Sequence, residues 1–176
     1  MLFKNFLLPV TALAAVVIAD GAAITEAMSV VGNDTTALGQ TVGDWTGNPL
    51  TILEILVQST KLLVDINTAT DTAKDSANLT FTEGVDVAQA TLSLSNIVQS
   101  TLSTIVAKKG LFDDYFLSGA ILLNLKEEKK ATDDFAAAVV TKLPAALQGS
   151  AAGLTQPIDN AFNSAISAYE QSSWRA

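Results

Sequence analysis

Residues 80–110 read TFTEGVDVAQATLSLSNIVQSTLSTIVAKKG, and this stretch decides the fold. Thr80 and Glu83 form a capping-box pattern, in which the threonine hydroxyl and the glutamate carboxylate each satisfy an orphan backbone amide. Behind the box, Val85, Ala88, Leu92, Ser95, Gln99, Leu102 and Val106 recur at steps of three and four, with Leu94, Val98 and Ile105 alongside. That is the period of one helix face. Lys108-Lys109-Gly110 ends the pattern with cations at the negative end and a glycine stop. The stretch predicts a long helix with one apolar side, which needs partners to bury it.

The flanks repeat the theme. Upstream, Gly21, Ile24, Met28, Val31, Thr35, Leu38 and Val42 make a continuous seam until Gly43–Pro49 breaks it with two Gly and a Pro. A second helix starts near Leu50. Leu53, Leu56, Thr60, Leu63 and Asn67 form one stripe, and Ile52, Ile55, Ser59, Leu62 and Ile66 another. Two apolar stripes predict the most enclosed helix of the set, fraying in the polar run after Thr68. Downstream, residues 111–116 form an aromatic corner. A fourth helix from about Ser118 turns Ile121, Leu122, Leu125, Thr132, Phe135, Val139 and Leu143 inward, and Lys126, Glu127, Lys129, Lys130 and Asp133 to water. After Pro144 and a short loop around 148–150, a last helix carries Leu154, Ile158, Ala161, Phe162, Ala165 and Tyr169, with Pro157 near its first turn. No strand alternation persists. The fold class is all-α, a bundle of about five helices with an apolar interior or tunnel.

Composition narrows the function. The chain has 176 residues, 49% of them hydrophobic and 16% charged, so it can build a core. It has no His and no Cys, and its only Arg is Arg175. An imidazole base, a thiol nucleophile, a His or Cys metal site and an internal arginine clamp are therefore missing. The net charge of −8 argues against nucleic acid. The pairs Asp113-Asp114, Glu127-Glu128 and Asp133-Asp134 point about 100° apart on a helix and read as solvated faces. No catalytic residue, metal or cofactor is expected.

At the N-terminus, Lys4 precedes an uncharged run from Phe6 to Ala19, and Ala12-Leu13-Ala14 and Val17-Ile18-Ala19 have the small-x-small form of cleavage sites. Residues 1–19 are expected to be a secretion signal cut after Ala14 or Ala19, with 20–172 as one helical domain. A buried first helix is the competing reading. The run is too short for a transmembrane segment. Asn33-Asp34-Thr35 and Asn78-Leu79-Thr80 are glycosylation sequons, which place Asn33 and Asn78 as candidate sites. The C-terminal residues 171–176 lack a hydrophobic tail, so no lipid anchor is expected there.

Hydroxyls on the inward stripes permit two readings. Ser59, Thr60, Ser95 and Thr132 can bond back to carbonyls four residues earlier, or they can line a cavity that holds an amphiphile's head group.

Several segments carry a family pattern. They are 97–99 and 105–112 (IVQ and IVAKKGLF), 122–126 and 131–133 (LLNLK and ATD), 140–147 (VTKLPAAL), 157–162 (PIDNAF) and Ala168-Tyr169. In order and spacing the chain resembles the fungal hydrophobic surface-binding protein A and cell-wall galactomannoprotein family, and Val17–Asp20 is similar to that family's opening helix. The resemblance implies secretion and a bundle of about five helices. It implies one of two activities. Some members enclose a long-chain fatty acid or other lipid, with serine hydroxyls near the carboxylate; here the matching region offers Ser150, Ser164 and Ser167. Others adsorb to hydrophobic surfaces and recruit a secreted polyester-degrading esterase. With one domain and no Ser/Thr-rich stalk, free secretion is expected over cell-wall attachment. The expected lipid lining comprises Leu56, Ser59, Thr60, Leu63, Val98, Leu102, Leu122, Leu125, Phe135, Val139, Leu154, Ile158 and Phe162, together with the three serines. The expected function is non-enzymatic lipid binding, with surface adhesion as the alternative.

Overall fold

The computed structural model describes residues 20–171. The expected leader and its cleavage sites lie outside the described residues. Six helices follow in order: α1 (Asp20–Asp44), α2 (Pro49–Asp75), α3 (Phe81–Ala107), the short α4 (Lys109–Asp114), α5 (Ser118–Lys142) and α6 (Ala145–Glu170). At a rise of 1.5 Å per residue the five long helices are each about 40 Å in length.

Each long helix packs chiefly on two others, and the pairs close a ring: α1 on α2, α2 on α5, α5 on α6, α6 on α3, and α3 on α1. Among the described residues no helix occupies the centre. Glu83 of α3 lies beside Gly21 of α1, and Thr101 beside Gly39, so α1 and α3 run parallel. Gly84 near Leu147 and Tyr169 bonded to Ile105 set α6 parallel to α3. Lys126 paired with Glu170, and Lys129 with Asp159, set α5 antiparallel to α6.

Local chemistry fixes the ends. Asn48 caps α2 by accepting from Leu50 N at 3.0 Å, with Pro49 opening the helix. The capping box at Thr80 and Glu83 forms as the sequence predicts, and Glu83 also accepts from Gly21 N at 3.4 Å, tying α1 to α3. The Lys142 ammonium donates to the carbonyls of Lys74 and Ser76, at 2.7 and 2.6 Å, and so satisfies the end of α2. At the opposite end Trp45, Phe112, Tyr115 and Tyr169 stack into an aromatic cap, with Trp45 and Phe112 ring centres 4.7 Å apart. Phe116 turns the chain out of α4 at φ 58°, the left-handed geometry of a Schellman-type end, where Leu117 N reaches Phe112 O.

The α1 seam is buried as read, position for position. Several expectations are corrected. On α3 the expected Leu94, Ser95, Val98, Leu102 and Ile105 are buried, joined by Gly84, Val87 and Thr101, whereas Leu92 and Gln99 of the expected line are exposed. On α2 the stripe of Ile55, Ser59, Leu62 and Ile66 is buried and the other is not: Leu53, Thr60 and Asn67 stand in solvent and Leu56 and Leu63 are half-buried, because a stave in a ring has an outer face, where Val57 and Val64 are exposed as well. That helix also continues to Asp75, since Ala69, Thr70 and Ala73 pack inward. Residues 148–150 are helical, and Pro157 sits in mid-α6. Gly110 does not stop α3; it lies inside α4, and α3 ends at Ala107, with Lys108 reaching across to Trp45 O at 2.9 Å.

A Cβ on Gly39 would lie 2.6 Å from Thr101 Oγ1. Gly39→Ala is therefore expected to destabilise the bundle by about 1–3 kcal/mol, as overpacking does, despite alanine's better helix propensity. Urea unfolding of the variant measures it.

Candidate functional site

Three apolar cavities follow one another along the ring axis. The lower one, about 90 Å³, lies between α1, α3, α5 and α6 and is lined by Met28, Val87, Leu94, Phe135, Val139, Leu143, Leu147, Leu154 and Ile158, among others. The middle one, about 30 Å³, is lined by all five long helices, including Val31, Leu62, Val98, Leu102, Phe135 and Phe162. The upper one, about 20 Å³, lies under the aromatic cap, against Ile55, Phe112 and Leu125. Neighbouring cavities share walls. Leu94, Thr132, Phe135 and Ile158 separate lower from middle, and Leu38, Ile105 and Glu128 separate middle from upper. A groove of about 390 Å³ on the outside of α5 and α6 shares Thr132, Ala136, Val140, Ala151, Thr155 and Ile158 with the lower cavity. Small side chains at Ala136 and Ala151 keep that wall thin.

The polar groups on the axis are few. Thr35, Thr101 and Thr132 line the middle cavity, and each donates its proton to a main-chain carbonyl, of Val31, Thr35 and Glu128 respectively. Glu128 is different. It is buried, and its Oε1 accepts from Ser59 Oγ at 2.7 Å. Burial pushes its carboxyl up to about 7, with a small push from Glu127 and an opposing pull from the Ser59 hydrogen bond. The reading of Glu127-Glu128 as a solvated pair is thus corrected for Glu128. Its position, seven after Ile121 and seven before Phe135, lies on the buried stripe, and that heptad spacing is the signal that could have found it.

The expected lining divides in two. Ser59, Val98, Leu102, Leu125, Phe135, Val139, Ser150, Leu154, Ile158 and Phe162 border the cavities. Leu63 and Leu122 pack on the core from its margin, and Leu56 is half-buried. Thr60 is exposed and bonds back to Leu56 O, as one of the two hydroxyl readings held. Ser164 and Ser167 are exposed on α6, off the inward line of Ile158, Phe162, Ala165 and Tyr169. Asn33 is exposed in mid-α1, although Thr35 of the same sequon is buried, and Asn78 is exposed between α2 and α3. Among the described residues no group of His, Cys, Asp and Glu is placed to hold a metal ion, and no helix is long and apolar enough to cross a membrane.

These features define an all-helical bundle whose apolar cavities run inside it, along its axis, with an outer groove against the lower one. The family model of hydrophobic surface binding protein A matches residues 21–141, and the chain belongs to that family. Among solved structures it is similar to Afmp4p in complex with palmitic acid, at 30% identity and TM-score 0.82, covering 85% of this chain and 99% of that one. Ligand binding domain 1 of the Penicillium marneffei MP1 protein, complexed with arachidonic acids, shares the fold at TM-score 0.81 and 15% identity, over 85% of this chain and 98% of that one. Among curated proteins, cell wall mannoprotein 1 of Aspergillus flavus is 26% identical over 85% of this chain and 54% of its own length. Its Aspergillus fumigatus counterpart is 27% identical over 81% and 50%. The chain thus spans about half the length of these curated relatives.

The raised Glu128 carboxyl makes stability depend on pH. In the unfolded chain this group ionises near 4.5, and in the fold near 7. Between those values the unfolded state has released a proton that the folded state keeps. Stability therefore falls as pH rises through that window, by about 3 kcal/mol in all. Glu83 and Asp113 act in the opposite sense, because hydrogen bonds from Thr80 and Lys109 hold them below the usual carboxylate range. Comparison with Glu128→Gln isolates the one group. The variant should match the parent near pH 4.5 and exceed it in urea-unfolding stability at pH 8.

Proposed function

We propose that the chain is a secreted, non-enzymatic binding protein that encloses a long-chain fatty acid along the axis of its helical ring. The observation that carries this reading is the run of three apolar cavities sharing walls from the aromatic cap to the lower end of the bundle. The similarity to Afmp4p, a bundle that takes palmitic acid, supports it. Export is supported by the leader-like residues 1–19 and by relatives that are cell wall mannoproteins.

The energetics favour a long chain. Each buried CH₂ contributes about 0.8 kcal/mol, so a sixteen-carbon tail grosses about 12 kcal/mol before ordering costs. As packed, each cavity is smaller than the roughly 150 Å³ that admits a benzene ring. The tail must push side chains aside, Phe135 first, since it stands between the lower and middle cavities. The α5–α6 groove adjoins the larger of the two and is the natural mouth. After these costs, affinity for palmitic acid should be about micromolar, near −8 kcal/mol. Calorimetric titration tests it. Ala136→Phe puts a ring into both the groove and the lower cavity and should weaken binding at least about tenfold. Absence of saturable binding between ten and sixteen carbons would overturn the reading.

A second reading rests on the outer face of α2. Leu50, Leu53, Val57 and Val64 stand there 73%, 60%, 68% and 57% exposed, and Leu123 is exposed on the neighbouring α5. Such a stripe suits adsorption to hydrophobic surfaces, and docking of a secreted esterase there would follow from it. Leu53→Glu with Val57→Glu should abolish retention on polystyrene or alkane droplets while leaving palmitic acid binding intact. Unchanged retention would remove this face from the adhesive reading.

A further inference from the structure

The middle cavity holds four polar side chains: Thr35, Thr101, Thr132 and Glu128. The three threonine protons are committed to main-chain carbonyls at 2.7, 3.1 and 2.8 Å. Ser59, in the upper cavity, spends its proton on Glu128 Oε1. The second oxygen of Glu128 has no hydrogen-bond partner among the described residues. When Glu128 carries its proton, that proton is the one uncommitted donor that the described residues bring to the middle cavity. When it is ionised, the cavity presents only acceptors and a negative charge.

We propose that the Ser59–Glu128 pair is the head-group subsite of the tunnel: the protonated Glu128 donates to the carboxylate of a long-chain acid, and the tail runs from there into the lower cavity.

The proposal rests on the fatty-acid reading above and adds to it an orientation, a specificity and a dependence on pH. Length fits the orientation. Leu143, at the lower end of α5 in the lower cavity, lies fifteen positions after Glu128, about 22 Å along the helix, comparable to an extended palmitoyl chain. The opposite direction meets the aromatic cap within two turns, at Ile121 and Phe112. Charge fits as well. The chain has no histidine and no arginine before Arg175, and the residues that line the middle and upper cavities from α1, α2, α3, α4 and α6 carry no charged group. Among the described residues the one charged neighbour acting on Glu128 is Glu127 of its own helix, of the same sign. Among the described residues no cation lines the middle or upper cavity, so the ligand carboxylate is met by neutral donors: the Glu128 proton, and beside it the amide of Asn124, one turn earlier on α5 in the upper cavity. Two carboxyls in a low-dielectric site hold one proton between them, because both cannot ionise at that distance. The burial that pushes the Glu128 carboxyl up to about 7 keeps this donor in place under acidic conditions.

The test is titration of the whole chain with palmitic acid and with methyl palmitate from pH 5 to pH 9, for the parent and for Glu128→Gln. For the parent, palmitic acid affinity should weaken about tenfold per pH unit above 7, as one required proton dictates. Methyl palmitate, which has no charge to be repelled, should change little. Glutamine donates an amide proton at every pH, so Glu128→Gln should bind palmitic acid with a flat profile and overtake the parent above pH 8. The acid's own aggregation affects both proteins alike and cancels in the comparison. Identical pH profiles for parent and variant would overturn the subsite while leaving lipid binding in place. Failure of either lipid to bind either protein would overturn the fatty-acid reading and the subsite together.

Discussion

The ring depends on how closely α1 and α3 can lie. The two helices are parallel and not consecutive, so no short loop forces them together. They meet through glycines: Gly21 faces Glu83, Gly32 faces Leu94 and Ile97, Gly39 faces Thr101, and Gly43 faces Thr104. A side chain at the tightest of these would hold the axes apart. Because they are absent, Thr101 can donate to the carbonyl of Thr35 on the other helix, and Glu83 can reach the amide of Gly21. With α1 and α3 joined, α2 is left on the far side of α1 and α6 on the far side of α3. The chain crosses between α2 and α3 through residues 76–80, pinned by Leu79 N to Lys142 O at 2.8 Å. Only α5 remains to close the gap, and it does so against α2 and α6.

That closure explains the cavities. Four helices can fill their shared centre with side chains, whereas five in a ring enclose a wider axis that side chains must reach from every wall. Phe135, Phe162 and Leu94 extend into it without filling it. Close packing is recovered at the upper end, where Trp45, Phe112 and Tyr169 are almost wholly buried. The chain has no disulfide to hold the ring shut. Between α5 and α6 the ties on the outer side are ion pairs, Lys129 with Asp159 and Lys126 with Glu170. Exposed pairs of that kind contribute little, so this seam is held less firmly than the glycine seam opposite.

Much of this was legible in the sequence. The α1 seam, the capping box, the helix start after the Gly43–Pro49 break and the corner at Pro144 are local signals with local causes, and each appears where the residues place it. The errors share a different cause. Val85, Leu92 and Gln99 fit a helical period as well as Val87, Leu94 and Val98 do, and only the partner helices decide which line turns inward. Leu53 and Val57 are apolar but outward, because a ring gives each stave a solvent face that hydrophobicity alone does not mark. Glu128 was hidden by its setting. Five consecutive charged residues, Lys126 to Lys130, read as a solvated run, yet the spacing from Ile121 and Leu125 to Thr132 and Phe135 carries the third of them inside. Ser164 and Ser167 show the converse: residue type favours a polar lining, and helical phase sends them to water.

Voids strung along one axis also set how the bundle responds to compression. Unfolding releases internal empty space to water, and hydrostatic pressure favours whichever state occupies the smaller volume. A fold with its core divided by three aligned cavities is mechanically soft along that line, and the softness is concentrated around Phe135, where the two lower cavities meet. Anything that fills the axis removes the volume difference on which pressure acts, and so stiffens the whole ring without adding a bond between its helices.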